Sequence, residues 1–135
     1  METAIRILIV GGTSVLFFGL LMGIPMVMAR KKASRPPRYL FAAHLVPIIQ
    51  GGLLLALTIP VEFSALSAMM ATVTAVCLLG GMVFFIGGLF LNWLQGVEDA
   101  FAENAPGGLV SAIGTPFVLA GGALLLYGVL TAALG

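Results

Sequence analysis

The chain contains 135 residues, with six Lys and Arg residues, five Asp and Glu residues and a net charge of +1. Hydrophobic residues make up 61% of the chain and charged residues 8%, whereas a typical soluble domain has about 45–50% and about 25%. This composition excludes a soluble globular protein, a disordered chain and a protein that binds nucleic acid through a basic face.

The first long apolar segment covers residues 7–29 and is interrupted only by the polar residues Thr13 and Ser14. As a helix it is long enough to cross a hydrocarbon core of about 30 Å. It runs directly into the basic residues 30–32, and it is longer than the roughly 7–15 apolar residues of a signal peptide. We therefore expect a retained transmembrane span rather than a cleaved signal.

Three further apolar segments cover residues 39–59, 66–94 and 109–134, and none of the four contains Lys, Arg, Asp or Glu. Pro60 is expected to end the second segment. The connectors are too short to hold another domain, and the strands of a membrane barrel would have about 9–11 residues of alternating polarity. The sequence predicts an all-α fold, in which residues 1–135 form one integral membrane bundle of four antiparallel transmembrane helices.

Basic residues are concentrated in the loop between the first two spans, residues 30–38, which holds five of the six: Arg30, Lys31, Lys32, Arg35 and Arg38. The positive-inside rule makes this loop cytoplasmic, as in a bacterial inner-membrane protein with both termini outside. The same cations could also attract anionic lipid headgroups. Glu98, Asp99 and Glu103 lie in the connector on the same side. Because no His or Cys joins them, a solvated loop is favoured over a metal site.

Glycine is frequent, with 18 residues, many of them in pairs. Small residues let transmembrane helices approach closely, and the spacing of Gly19 and Gly23 in the first span is typical of such contacts. Alternatively, some glycines leave room for a flat ligand. Gly51 and Gly52 are the strongest candidates for that role, because they follow His44 by about two turns and flank its face of the helix.

His44 is the only histidine, and it lies about one turn inside the second span. An ionisable residue at this depth is a candidate for function, although a hydrogen bond to a neighbouring helix is the plain alternative. Pro47 is expected to kink the helix beside it. Zinc requires about four ligands, and the only other candidate is Cys77, which is interpreted as a packing residue. Haem requires a single axial side chain, so His44 could hold haem where it could not hold zinc.

Few other polar side chains lie in the spans. They include Gln50, Tyr127 and the pair Asn92 and Gln95, which share a face of the third span with Phe85 and Gly88. Each is expected to make an interhelical hydrogen bond, and any of them could orient a small polar substrate.

The segment Ala43-His44-Leu-Val-Pro47-Ile-Ile-Gln50-Gly51 resembles the second helix of the styrene oxide isomerase family. The similarity extends loosely over residues 39–130 and includes the four-span layout. It implies a membrane protein that associates as a homotrimer and binds ferric haem b through His44. It also implies an enzyme that converts an apolar epoxide to a carbonyl compound, with the iron acting as a Lewis acid.

The chain departs from this family at two places. Gln50 stands where the family has Asn, and residues 84–90 contain no Tyr, although the family has a Tyr near the substrate in its third helix. Tyr127 could replace it if the fourth helix faces the same pocket. The expected catalytic residues are therefore Gln50, Asn92 and Tyr127, and the expected cofactor-binding residues are His44, Gly51 and Gly52.

Two other functions are compatible with the sequence. The chain could be a haem-bearing membrane anchor or electron-transfer subunit, which would obtain a second axial His from a partner chain. It could also be a small transporter or structural membrane protein without a cofactor, although the absence of acidic residues from the spans argues against proton coupling.

Overall fold

A computed structural model describes residues 1–101 and 103–135. The described residues form six helices in chain order: α1 (Glu2–Leu21), α2 (Gly23–Lys32), α3 (Arg38–Ala56), α4 (Thr58–Phe63), α5 (Ala68–Leu94) and α6 (Pro106–Leu134). Four helical stretches are long and apolar enough to cross a membrane, since α1 and α2 form one and α3 and α4 another. The predicted all-α bundle of four spans is confirmed.

Each of the first two spans contains a break, and a proline follows each break. Helix α1 ends before Met22, and Pro25 is the third residue of α2. Helix α3 ends before Leu57, and Pro60 is the third residue of α4. Proline is tolerated in the first turn of a helix because its missing N–H has no intrahelical partner there. The expectation that Pro60 ends the second span is therefore wrong, since α4 continues to Phe63.

Pro47 lies in the middle of α3 and is buried, and the helix continues beyond it to Ala56. The break in the second span is not at Pro47 but at Leu57, ten residues later, where α3 ends and α4 begins.

Helix α5 is the centre of the bundle. It packs most extensively against α6 and also contacts α1 and α3, while α1 packs along α3. The main core is formed by buried residues from all four spans, among them Leu8, Leu54, Leu78, Met82 and Leu125. Side chains facing away from the core are mostly apolar, as expected for helices that meet lipid.

Glycines bring helix backbones into contact at two interfaces. A Cβ atom on Gly81 of α5 would lie 2.7 Å from the carbonyl oxygen of Gly114 in α6. A Cβ atom on Gly51 of α3 would lie 2.7 Å from the carbonyl oxygen of Gly12 in α1. Since these neighbours are backbone atoms, they cannot move aside, and glycine is required for the observed helix spacing.

The loop of residues 30–38 and the connector of residues 95–105 meet at one end of the bundle, which we call the basic end. The backbone N–H of Ala100 donates a hydrogen bond to Tyr39 Oη at 3.0 Å. Glu103 Oε1 accepts hydrogen bonds from the backbone N–H groups of Glu98 and Asp99, both at 2.9 Å. The connector is thus ordered by its own carboxylate and attached to the start of α3.

Substituting Gly81 with Ala is expected to destabilise the bundle by about 1–3 kcal/mol, because the added methyl group meets the backbone of α6 and forces the helices apart. The neighbouring Gly80 has no atom within 4 Å of the corresponding position, so Gly80→Ala is the matched control. Thermal unfolding in detergent should show a lower Tm for Gly81→Ala and an unchanged or slightly higher one for Gly80→Ala. Equal effects of the two substitutions would contradict the described contact.

Candidate functional site

His44 lies one turn and a half into α3 and is half-buried against the first span. Its Nδ1 atom is 2.8 Å from the carbonyl oxygen of Gly19 in α1. A carbonyl oxygen can only accept a hydrogen bond, so Nδ1 carries the proton. In the neutral imidazole the lone pair is then on Nε2, which has no hydrogen-bond partner among the described residues.

The first span accommodates the imidazole because two glycines face it. A Cβ atom on Gly19 would lie 2.8 Å from the backbone nitrogen of Ile48, and one on Gly23 would lie 3.2 Å from His44 Cε1. The spacing of Gly19 and Gly23 therefore serves close packing within one chain, and this packing surrounds the histidine.

The helix break at Met22 supplies the hydrogen-bond acceptor. The last four carbonyl groups of an α-helix lack regular intrahelical partners and need others. At the end of α1, the carbonyl of Phe18 accepts the backbone N–H of Met22, and that of Gly19 accepts the imidazole N–H. The imidazole N–H of His44 thus pairs with a carbonyl at the C-terminal end of α1, in an apolar environment.

The surface next to the imidazole is apolar and faces outward. On α3, Phe41 and Leu45 lie about 60° and 100° around the helix from His44, and both are exposed. On α2, Ile24 and Val27 follow Gly23 and are also exposed. The imidazole is half-buried, and the exposed side chains at these neighbouring helix positions are hydrocarbon.

The one ring nitrogen that is left unpaired among the described residues, His44 Nε2, suits a cofactor that needs one protein ligand. Metal-binding histidines usually donate their second ring N–H to a carbonyl or carboxylate, and His44 makes such a bond to Gly19. Within residues 1–101 and 103–135 no group of three or more His, Cys, Asp or Glu side chains could hold a metal ion. This chemistry is compatible with one axial ligand of haem, while the space at Gly23 is occupied by the imidazole itself.

The two glycines expected to make room for a planar ligand differ in their surroundings. The position beside Gly51 is filled by α1, since a Cβ atom there would lie 2.6 Å from the backbone nitrogen of Leu16. The expectation for Gly51 is therefore wrong, because helix packing occupies the space. Gly52 is exposed with no atom within 4 Å of its Cβ position, and its proposed role remains a prediction.

Tyr127 does not share a site with His44. It is 65% exposed on the outer side of α6 and lies 21 residues from the start of that helix, or about 30 Å from the basic end at 1.5 Å per residue. His44 lies six residues from the start of α3, about 9 Å from the same end. Within one chain the two residues therefore lie at different depths, and the role of Tyr127 stays a prediction.

Gln50 and the cavity beside Asn92 lie on a different side of α3 from His44. Gln50 follows His44 by six residues and is therefore about 240° around the helix, with its Oε1 atom buried and without a hydrogen-bond partner. Asn92 lines a cavity of about 760 Å³ together with Tyr39, which is about 220° around α3 from His44. Within one chain these carboxamides and the imidazole do not face the same space.

Two features of these sites were missed by reasoning from the sequence. Tyr39 was taken only as the start of the second span, although it holds the connector through Ala100. Gly19 and Gly23 were interpreted as a packing motif without a link to His44. The small-residue spacing was visible, but its partner helix depends on the tertiary arrangement.

No protein family model, curated protein or solved structure matches this chain. The function is therefore argued from the geometry around His44 and from the resemblance of the surrounding segment.

The tautomer of His44 can be tested directly, because the chain contains a single histidine. In protein labelled with ¹⁵N-histidine and measured where the imidazole is neutral, we expect a protonated Nδ1 and an unprotonated Nε2. Gly19→Ala should disturb this signal, because the methyl group would push α3 away from the carbonyl. Gly52→Ala, at an open position of the same helix pair, should not. A wild-type spectrum with the proton on Nε2 would contradict the described hydrogen bond.

Proposed function

We propose that the chain binds ferric haem b through Nε2 of His44 and isomerises an apolar epoxide to a carbonyl compound. The observation that supports this proposal is the hydrogen bond from His44 Nδ1 to the Gly19 carbonyl, which leaves Nε2 as the metal-binding nitrogen. The resemblance of residues 43–51 to the styrene oxide isomerase family supplies the reaction.

The histidine content of the chain favours one protein ligand to the haem iron over two. One chain contains one histidine, and its imidazole is held in a fixed orientation by Gly19 and by the close contact with Gly23. Fixing the ring restricts its rotation and increases the basicity of the coordinating nitrogen. When bound, ferric haem would supply a Lewis acid that polarises the C–O bond of an epoxide.

The apolar surroundings suit a reaction in which water must be excluded. In the isomerisation a hydride moves between neighbouring carbons, so no electron or proton leaves the molecule. Water would divert the developing cation to a diol, and exclusion of water prevents this side reaction. Exposed side chains beside the imidazole, such as Phe41 and Leu45, provide hydrocarbon rather than hydrogen-bonding groups. An apolar epoxide also partitions into the bilayer and can reach this surface directly.

We also propose that the functional form is a homo-oligomer, a homotrimer in keeping with the family that residues 43–51 resemble. His44 lies at the outer edge of the contact between the first two spans, and the side chains beside it are exposed. A second copy packed on this apolar surface would bury these exposed side chains.

The proposed location is the bacterial inner membrane, with the basic end in the cytoplasm. The structure gathers the loop of residues 30–38 and the connector of residues 95–105 at that end. Five cations in one short loop give the orientation under the positive-inside rule.

The proposal predicts a haem absorption band in protein produced with ample haem and purified in detergent. His44→Ala should abolish or strongly weaken binding, and Gly19→Ala should weaken it by about 10–100-fold, the range found when a partner of a metal ligand is removed. Cys77→Ala is the control, because Cys77 is a free cysteine in the third span and a thiolate can ligate haem iron. Haem binding that is lost with Cys77→Ala and retained with His44→Ala would overturn the assignment.

The reaction itself is tested by supplying an aryl epoxide without any redox partner. We expect conversion to the isomeric aldehyde by wild-type protein and not by His44→Ala. A high-spin iron spectrum is expected if one side of the iron is free. A low-spin, six-coordinate spectrum without isomerase activity would favour an electron-transfer subunit, and colourless protein would favour a function without haem.

A further inference from the structure

A second site is present at the basic end, separate from His44. A cavity of about 760 Å³ lies among the start of α3, the C-terminal half of α5, the first turns of α6 and the connector of residues 95–105. Binding sites for small molecules commonly measure about 300–1,000 Å³. The residues that carry the inference are Tyr39, Phe85, Leu89, Asn92 and Ser111, all of which line the cavity.

Asn92 is the buried polar group of this cavity. Its side chain is 2% exposed, and its Oδ1 atom has no hydrogen-bond partner in the part of the chain that the structure describes. The Oδ1 atom packs against Gly107 in α6. Because Asn92 lines the cavity and buried polar groups are nearly always paired, its carboxamide is a candidate partner for a bound molecule. Rotation about its last side-chain bond exchanges the oxygen and the nitrogen, and the carboxamide can therefore offer a donor or an acceptor.

Tyr39 provides a second neutral polar group. Its hydroxyl oxygen accepts the backbone N–H of Ala100, and the hydroxyl hydrogen remains to be donated. Ser111, by contrast, already donates to the carbonyl of Phe85. The cavity therefore offers donors for an oxygen atom of a ligand, from Tyr39 and from the carboxamide of Asn92.

The side chains that form the walls of the cavity indicate the polarity of the rest of the ligand. Phe85 and Leu89 present apolar surface, and Leu109 is exposed at the outer side of α6. Arg38 also lines the cavity, so its guanidinium is a further donor for an oxygen atom of a ligand. Aromatic and aliphatic walls combined with a few hydrogen-bonding groups and one charged residue are typical of sites for small, largely apolar molecules.

We infer that this cavity binds a neutral, lipid-soluble ring compound that carries carbonyl oxygens, of the quinone type. Its carbonyl oxygens would accept hydrogen bonds from Tyr39 and Asn92, and its ring would lie against Phe85 and Leu89. This inference does not depend on the proposed function, because Tyr39 and His44 lie on different sides of α3.

The test uses decylubiquinone as the probe and the full chain in lipid nanodiscs. Trp93 is the only tryptophan and follows Asn92 directly, so quenching of its fluorescence reports on binding near the cavity. We expect saturable quenching for the wild type and affinity about five- to tenfold weaker for Asn92→Leu and for Tyr39→Phe, the effect of losing one hydrogen bond. Gln95→Leu, which removes an exposed carboxamide from the same end of α5, should bind like the wild type.

Several outcomes would overturn the inference. Quenching that rises without saturation would show partitioning into the bilayer alone. Equal affinity in the wild type, Asn92→Leu and Tyr39→Phe would show that the polar groups do not contact the probe. If thermal unfolding shows that one of these two variants does not fold, the affinity of the other variant for the probe is the test.

His44→Ala separates this site from the proposed haem site. It should leave decylubiquinone binding unchanged even where haem binding is lost, and binding lost with His44→Ala would overturn the assignment of a separate cavity. Conversely, saturable binding in a protein that takes up no haem would support the cavity while removing the proposed isomerase function.

Discussion

The contact between the first two spans is the constraint on which the His44 site depends. Helix backbones can approach closely there because Gly12, Gly19 and Gly51 have no side chains to separate them. The approach brings the carbonyl of Gly19 within 2.8 Å of the imidazole of His44. In a hydrocarbon environment this bond matters for a further reason, since an unpaired carbonyl or imidazole N–H would lack water as a substitute partner. The same bond determines which ring nitrogen stays available for chemistry.

Composition and hydropathy were sufficient to predict the architecture, because a membrane span is a property of a long continuous segment. Residues 7–29, 39–59 and 109–134 each lie within one observed span, and the run 66–94 begins two residues before the span Ala68–Leu94. The positions of the breaks were harder to predict. Pro25 lies inside the first apolar run and Pro60 directly follows the second, and each is tolerated because a new helix begins just before it. A proline therefore marked the start of a short helix more accurately than the end of a span.

For the candidate site, the sequence indicates His44 but not its surroundings. A lone histidine in an apolar helix is unusual in any sequence. The expectation for Gly51 is wrong, because the role of a glycine depends on which helix faces it. Gln50 and Asn92 are expected to make interhelical hydrogen bonds, but the side-chain oxygen of each is buried without a partner among the described residues. Their separation from His44 could only be determined from the packing of α3 against α5.

The half-buried position of His44 has a consequence for assembly under the proposed function. If His44 holds haem as proposed, the cofactor could reach the imidazole through the lipid phase while the four spans stay packed. Loading would then be a docking event on a finished fold rather than a step of folding. Such a protein would keep its structure when empty, and the order in which copies associate and cofactor arrives would determine how much of the cofactor is retained.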